Sequence, residues 1–226
     1  MISLFAKTVL NEPIVSGAPD RAVTVSVVSH GHSGHVRRLA LQLCEEGAGH
    51  IDHLVLTHNV PEAPLASPPG GWPFRVTELF NERPRGFGAN HNQAFVHCGT
   101  RYFCVLNPDV TVRGQGLWDA LLAQASQPGV GLAYPVLLNP DGSRQDSERA
   151  AVTPLSLLRR HLFGRAESRI DWASAAFWVV PAPVYRALAG FDERYFMYCE
   201  DIDFCLRLRL AGWSLARAEE IGRAHV

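Results

Sequence analysis

Residues 23–57 read VTVSVVSHGHSGHVRRLALQLCEEGAGHIDHLVLT. The first seven form a β-branched run, Val23 to Ser29, and the glycine-bearing loop HGHSG follows. Residues 35–47 then place apolar side chains at helical spacing and stop at Gly47. IDHLVLT is a second apolar run of strand length. Strand, helix and strand in this order predict a parallel pair joined by a right-handed crossover.

The alternation continues outward. FRVTELF (74–80) reads as a third strand, and the Gly-rich turn after it becomes a helix near Gly88. RYFCVLNPDV (101–110) is a fourth strand, stopped at Pro108. A helix over 116–126, a strand over 130–139, a tight PDGS turn and a strand over 172–180 follow, then helices over 182–190 and 200–212. The class predicted is α/β, with ligands bound beyond the carboxyl ends of the strands.

Composition narrows the function classes. The 226 residues suit one α/β domain or two small ones. A net charge of -1 gives no electrostatic reason to expect nucleic acid as a partner. The five cysteines, Cys44, Cys98, Cys104, Cys199 and Cys205, form no C-x-x-C pair and are odd in number. They read as buried free thiols of a reducing cytosol, not as a zinc site or disulfide framework. No run approaches the ~18 apolar residues of a membrane span, and ASAAFWVVPAPV is broken by Pro181 and Pro183. The start, MISLFAKTVLNEP, has too short an apolar stretch and too few positive charges for a signal peptide. The expectation is a cytosolic chain whose membrane contact is peripheral.

Three stretches carry chemistry. FDERYFMYCEDIDFCLRLRLAGW (191–213) interleaves Asp192, Glu193, Glu200, Asp201 and Asp203 with aromatic residues and leucines. Such framing suggests carboxylates at a pocket wall, where desolvation and like charge tune their proton affinity. For Glu200 and Asp201 alone, an ordinary acidic N-cap is the better reading. LNPDV sets Asn107 and Asp109 on one face if the backbone is extended, suited to a divalent cation and its phosphates, but as a tetrapeptide it favours a plain turn. GFGANHN could bring backbone close to a phosphate at a helix start, or simply turn from strand to helix. DWASAAF sets small residues beside Trp172, which suits a sugar-facing surface, but small residues in a strand are more often simple packing.

Together, VTVSVVSHGHS, GFGANHNQAF, FCVLNPDV, DGS followed by Arg149, DWASAAFWVV and GFDERYFMYCEDIDFCLRLRLAGW resemble family 2 glycosyltransferases. The likeness is closest to the rhamnosyltransferase-like branch that builds bacterial surface polysaccharides, and it covers about Val23 to Trp213. It implies a GT-A fold, a nucleotide-diphosphate-sugar donor, a glycan or lipid-linked acceptor and an inverting transfer. By that resemblance Asp109 holds Mg2+ or Mn2+ on the donor diphosphate, supported by Asn107. Glu200 and Asp201 form the catalytic pair, with Asp201 as general base. Ser29, His58, Gly88, Asn92, Asn107 and Trp172 are the substrate-binding positions.

Two departures accompany the likeness. Family members commonly carry V-D-N after the second strand, with the Asp contacting the nucleobase; here the match is LTHN, so His58 stands in its place, read as a solvated loop histidine able to meet a base edge. The resemblance also implies a longer chain. The final EIGRAHV back-translates to a string that matches a widely used sequencing adapter. The expected division is therefore an N-terminal extension (1–22), a glycosyltransferase domain (23–219) cut near its end, and an artefactual tail (220–226). His225 falls near the family's metal-binding histidine, by chance on that reading. The basic stretch Arg159 to Arg169 could meet an anionic lipid-linked acceptor, though a solvated loop is the commoner explanation for such a run.

The rival reading is a non-catalytic module that binds nucleotide or a partner chain without turnover. A nucleotidyltransferase would want Arg and Lys in the loop after the first strand, and SHGHSGH has neither.

Overall fold

A computed structural model describes residues 21–113, 116–139, 141–149, 170–218 and 223–225. Residues 1–20 of the extension, the basic stretch 159–169 and most of the tail lie outside the described residues.

The opening unit forms as its periodicity dictates: β1 (Val23–Ser29), α1 (Ser33–Glu46) and β2 (Ile51–His58). β1 and β2 pair in parallel, Val25 opposite Leu54 and Val27 opposite Leu56. Val23, Val25 and Val27 share one buried cluster with Val36, Leu39, Ala40 and Leu43 of α1. The alternate residues of β1 point the other way, so Thr24 and Ser26 need polar partners under the opposite layer. Thr24 Oγ1 meets Thr100 Oγ1 at 2.8 Å, and Ser26 Oγ meets His91 Nδ1 at 2.8 Å.

β3 (Arg75–Phe80) continues the sheet, then come α2 (Phe87–Phe95) and β4 (Tyr102–Leu106). The second half comprises β5 (Thr111–Arg113), α3 (Leu117–Ala125), β6 (Val130–Pro135) and β7 (Leu137–Leu138). After these come β8 (Glu148–Arg149), β9 (Trp172–Ala173), β10 (Phe177–Pro181), α4 (Ala182–Ala187), α5 (Glu200–Leu210), β11 (Ser214–Ala218) and β12 (Arg223–His225).

Seven strands form the main sheet in the order β11-β6-β10-β4-β1-β2-β3. Only β10 runs against its neighbours, antiparallel to both β4 and β6. One face of the sheet buries a cluster with α1 and α3, including Trp118 and Leu121. The other buries Phe103, Trp178, Tyr185, Phe191, Phe204 and Leu208 under α2, α4 and α5. Buried strands covered on both faces explain why β2 and β4 read as continuous apolar runs.

Two predicted strands are divided. The run 130–139 breaks after Pro135, and β7 leaves for a small sheet ordered β5-β12-β7. The run 172–180 breaks at a turn through Ala175 and Ala176, where the Ala176 carbonyl accepts the Asn107 N–H (2.9 Å); β9 pairs instead with β8. Within the PDGS motif, residues 141–143 turn tightly, with Ser143 N–H donating to Asp141 Oδ1 at 2.9 Å. Among the described residues, no helix is long and apolar enough to cross a membrane.

Candidate active site

The chain leaves β1 for β2 on one side and returns to β4 on the other. Such a switch point opens a crevice beyond the carboxyl ends of the two central strands. Ser29 ends β1 there, buried, its Oγ accepting the His32 N–H at 3.2 Å. Asn107 and Asp109 follow β4 directly. They are not extended: the Val110 N–H donates to the Asn107 carbonyl (3.3 Å), closing a turn that leaves Asp109 exposed. Pro108 ends the strand, so the shared face expected of two alternate residues is replaced by turn geometry.

His58 departs furthest from expectation. It is not a solvated loop residue; it ends β2 and is 3% exposed. Its Nε2 lies 2.7 Å from Glu78 Oε2, and its Nδ1 faces Glu62 Oε2 at 3.6 Å. The ring stacks on Phe80, with centroids 4.5 Å apart and planes within 6°. Glu78 also accepts the Leu65 N–H at 2.8 Å, tying the loop after β2 to β3. Both ring nitrogens are thus directed at carboxylates. Beside this group Asn81 Nδ2 donates to Asn59 Oδ1 (2.9 Å) and Asn90 Oδ1 (2.7 Å), and Asn59 receives the Arg85 N–H.

The GFG turn packs against the segment 191–199. A Cβ on Gly86 would stand 2.6 Å from the Phe196 carbonyl oxygen, and one on Gly88 would stand 2.5 Å from Phe191 Cβ. The Phe87 N–H donates to that same Phe196 carbonyl at 2.9 Å. The glycines admit a close backbone approach from within the protein itself. Asn92 lies one turn beyond Gly88 on α2.

That segment delivers the acids. Tyr198 and Cys199 hold left-handed backbones, φ +71° and +68°, and α5 begins at Glu200. The cap is Cys199, which makes no side-chain capping bond, so neither acid serves as N-cap. Asp192 is tied to Arg194 and Asp203 to Arg207. Glu193 accepts from Asn92 Nδ2 at 3.1 Å and faces Arg85 at 3.6 Å. Glu200 and Asp201 have no cationic partner among the described residues.

Burial raises the pKa of Glu200, with the charge of Asp201 adding to it, and Glu200 Oε2 has no hydrogen-bond partner. Burial also raises Asp201, partly offset by the amides of Ile202, of Asp201 itself and of Ala175. The Ile202 N–H donates to Asp201 Oδ1 at 2.8 Å. Ala175 lies in the turn before β10, whose reversed direction brings its amino end to this edge of the sheet. Trp172, half-buried in β9, adjoins the cluster under α5. Among the described residues, no three His, Cys, Asp or Glu side chains form a metal cluster.

Sequence reasoning missed two polar groups. Ser26 and His91 form a buried pair, signalled only by a serine inside a valine run. Tyr134 on β6 donates to Glu148 Oε2 at 2.8 Å, and Glu148 also pairs with Arg217 of β11, tying β8 to the sheet. Tyr134→Phe is expected to cost about 1.5–3 kcal/mol, because the hydrogen bond ends on a charged acceptor. Urea unfolding would show it as a lower midpoint with an unchanged slope.

No family model matches the chain. It is 36% identical over 128 residues to an N-acetylglucosaminyl-diphospho-decaprenol L-rhamnosyltransferase of Mycobacterium tuberculosis, covering 48% of this chain and 41% of that protein. The rhamnosyltransferase WbbL of Escherichia coli is 25% identical over 209 residues, covering 84% of this chain and 78% of WbbL. The chain therefore spans about two fifths of the mycobacterial relative. Among solved structures, GalNAc-T7 with UDP, GalNAc and Mn2+ superposes with a TM-score of 0.67 at 14% identity, over 90% of this chain and 42% of that one. A mannosyltransferase of Pyrobaculum calidifontis with GDP-Man and Mn2+ gives 0.64 at 13%, over 94% and 59%. The chain is thus similar in sequence to rhamnosyltransferases and has the fold of the GT-A enzymes.

Proposed function

We propose that the chain is an inverting glycosyltransferase domain, moving a sugar from a nucleotide-diphosphate donor to a glycan or lipid-linked acceptor in cell-surface polysaccharide synthesis. Rhamnose is the sugar its relatives' names suggest. The observation that carries the reading is Asp201, a carboxylate with no cationic partner among the described residues, half-buried at the start of α5 beside the amino end of β10. Its raised proton affinity suits a general base toward an acceptor hydroxyl. In the proposed step the acceptor oxygen bonds to the anomeric carbon as the bond to the diphosphate breaks. The hydroxyl proton passes to the Asp201 carboxylate.

Donor binding falls to the crevice between Ser29 and the 107–110 turn, a site supported by the switch point. The exposed Asp109 fits a hard divalent cation, since Mg2+ and Mn2+ are often held by one or two carboxylates together with substrate phosphates. When bound, such an ion would offset the charge of the departing diphosphate. His58 and Phe80 would form a wall at the nucleobase end, with the imidazole held between two glutamates. A lipid-linked acceptor would place the reaction at the cytoplasmic face of a membrane.

Calorimetric titration of UDP, dTDP and GDP with and without Mn2+ tests the donor site. Metal-dependent binding that weakens about tenfold or more in Asp109→Ala is expected. No binding by a folded sample would favour the non-catalytic module.

A further inference from the structure

The four hydrogen bonds of Asn92 all stay within the fold. Its Nδ2 donates to the Phe191 carbonyl (2.8 Å) and to Glu193 Oε1 (3.1 Å). Its Oδ1 accepts from the Tyr185 hydroxyl (2.8 Å) and from the Phe191 N–H (2.9 Å). A carboxamide has two donor hydrogens and two acceptor lone pairs, so nothing is left for a ligand, and Asn92 is not the substrate-binding residue that the resemblance implies. One turn earlier Gly88 admits Phe191, and Phe87 holds the Phe196 carbonyl. Helix α2 therefore grips the segment at 191, 193 and 196. At its far end Tyr198 and Cys199 keep left-handed backbones that no glycine relieves. Such conformations persist only where the surroundings over-determine them.

We infer that Asn92 is a positioning residue: it locks segment 191–199 onto α2 and so sets how deeply Asp201 sits at the start of α5. The role of Asp201 as base rests on the proposed function; the anchoring does not. The groups facing Asp201 are Glu200 on its own helix, the Cys205 thiol one turn on, and the Ala175 amide from the turn before β10. Loosening the segment lets water reach the carboxyl. Its proton affinity, raised by burial, then drops toward that of an ordinary aspartate.

The test needs no turnover. The Asp201 carboxyl is titrated by 13C NMR, identified by its loss in Asp201→Asn, in the wild type and in Asn92→Ala. Amide exchange at Phe87 and Phe191 and calorimetric binding of UDP with Mn2+ are measured alongside. Expected are a lower Asp201 midpoint, exchange faster by about tenfold or more at both amides, and UDP affinity unchanged. An unmoved midpoint, or UDP binding lost with Asn92, overturns the assignment. Should Asn92→Ala fail to fold, Glu193→Ala, whose carboxylate is half exposed, decides: the same shift in smaller measure supports the inference, and no shift overturns it. If the wild type neither binds nucleotide nor transfers sugar, the proposed function falls while titration and exchange still judge the anchoring.

Discussion

Asp201→Asn is expected to lower sugar transfer by about 10²–10⁴-fold, the usual loss when a positioned general base is removed. The substitution is nearly isosteric and keeps an oxygen for the Ile202 N–H, so α5 retains its first turn. Only the basicity goes. The proposed donor crevice lies after β1 and β4, so nucleotide affinity should stay within about twofold, which separates a lost catalytic group from lost binding. The base must be deprotonated to act, so the wild-type rate should rise with pH on its acid limb. Burial places that limb above the ordinary aspartate range. Full transfer by Asp201→Asn would remove the mechanism and leave only the fold likeness.

The second large effect concerns stability. His91 is fully buried, its Nδ1 on Ser26 and its ring against Phe87 and Phe191, and burial pushes its pKa down to about 3. In the unfolded chain the ordinary value of about 6.5 applies. Above that pH neither state carries the proton and the stability is intact. As the pH falls from about 6.5 toward 3, the unfolded chain takes up a proton that the folded one refuses. Each pH unit then costs about 1.4 kcal/mol, or about 4–5 kcal/mol over the window, a large part of a typical domain's stability. Glu200 and Asp201 act in the opposite sense, because their raised values make the folded state the better proton acceptor. Urea unfolding of wild type and His91→Asn at several pH values isolates the histidine. The variant should start less stable, with Ser26 short of its partner, but lose about one proton's worth of slope in this window. Parallel slopes would show that His91 titrates normally in the folded state.

The fold was legible where periodicity is strong. Val23 to Thr57 declares strand, helix and strand, because apolar residues repeat at the period each element needs. The sheet order was not legible. Phe177–Pro181 reads like any buried strand, and nothing local says that it enters between β4 and β6 in reverse. Strands as short as β5, β8 and β12 lie below any periodic signal, and β11 hides its pattern behind Arg217 and small residues. The acids of 191–213 stood out by composition, but their division into neutralised and unneutralised carboxylates depends on Arg194 and Arg207 taking Asp192 and Asp203. For His58 the deciding partners, Glu62 and Glu78, come from a loop and the next strand, and only the fold brings both to its ring.

The place of β10 also governs the order of assembly. During synthesis β6 emerges some forty residues before β10, the strand that joins it to β4. Until then the growing chain has a four-stranded half-sheet ending at an open β4 edge, with β6 waiting unpaired beside it. Completing the sheet demands a long loop closure rather than simple addition at the rim, and such non-local pairing is slow. The β4 edge is then the place where a nascent chain is most exposed to pairing with a foreign strand.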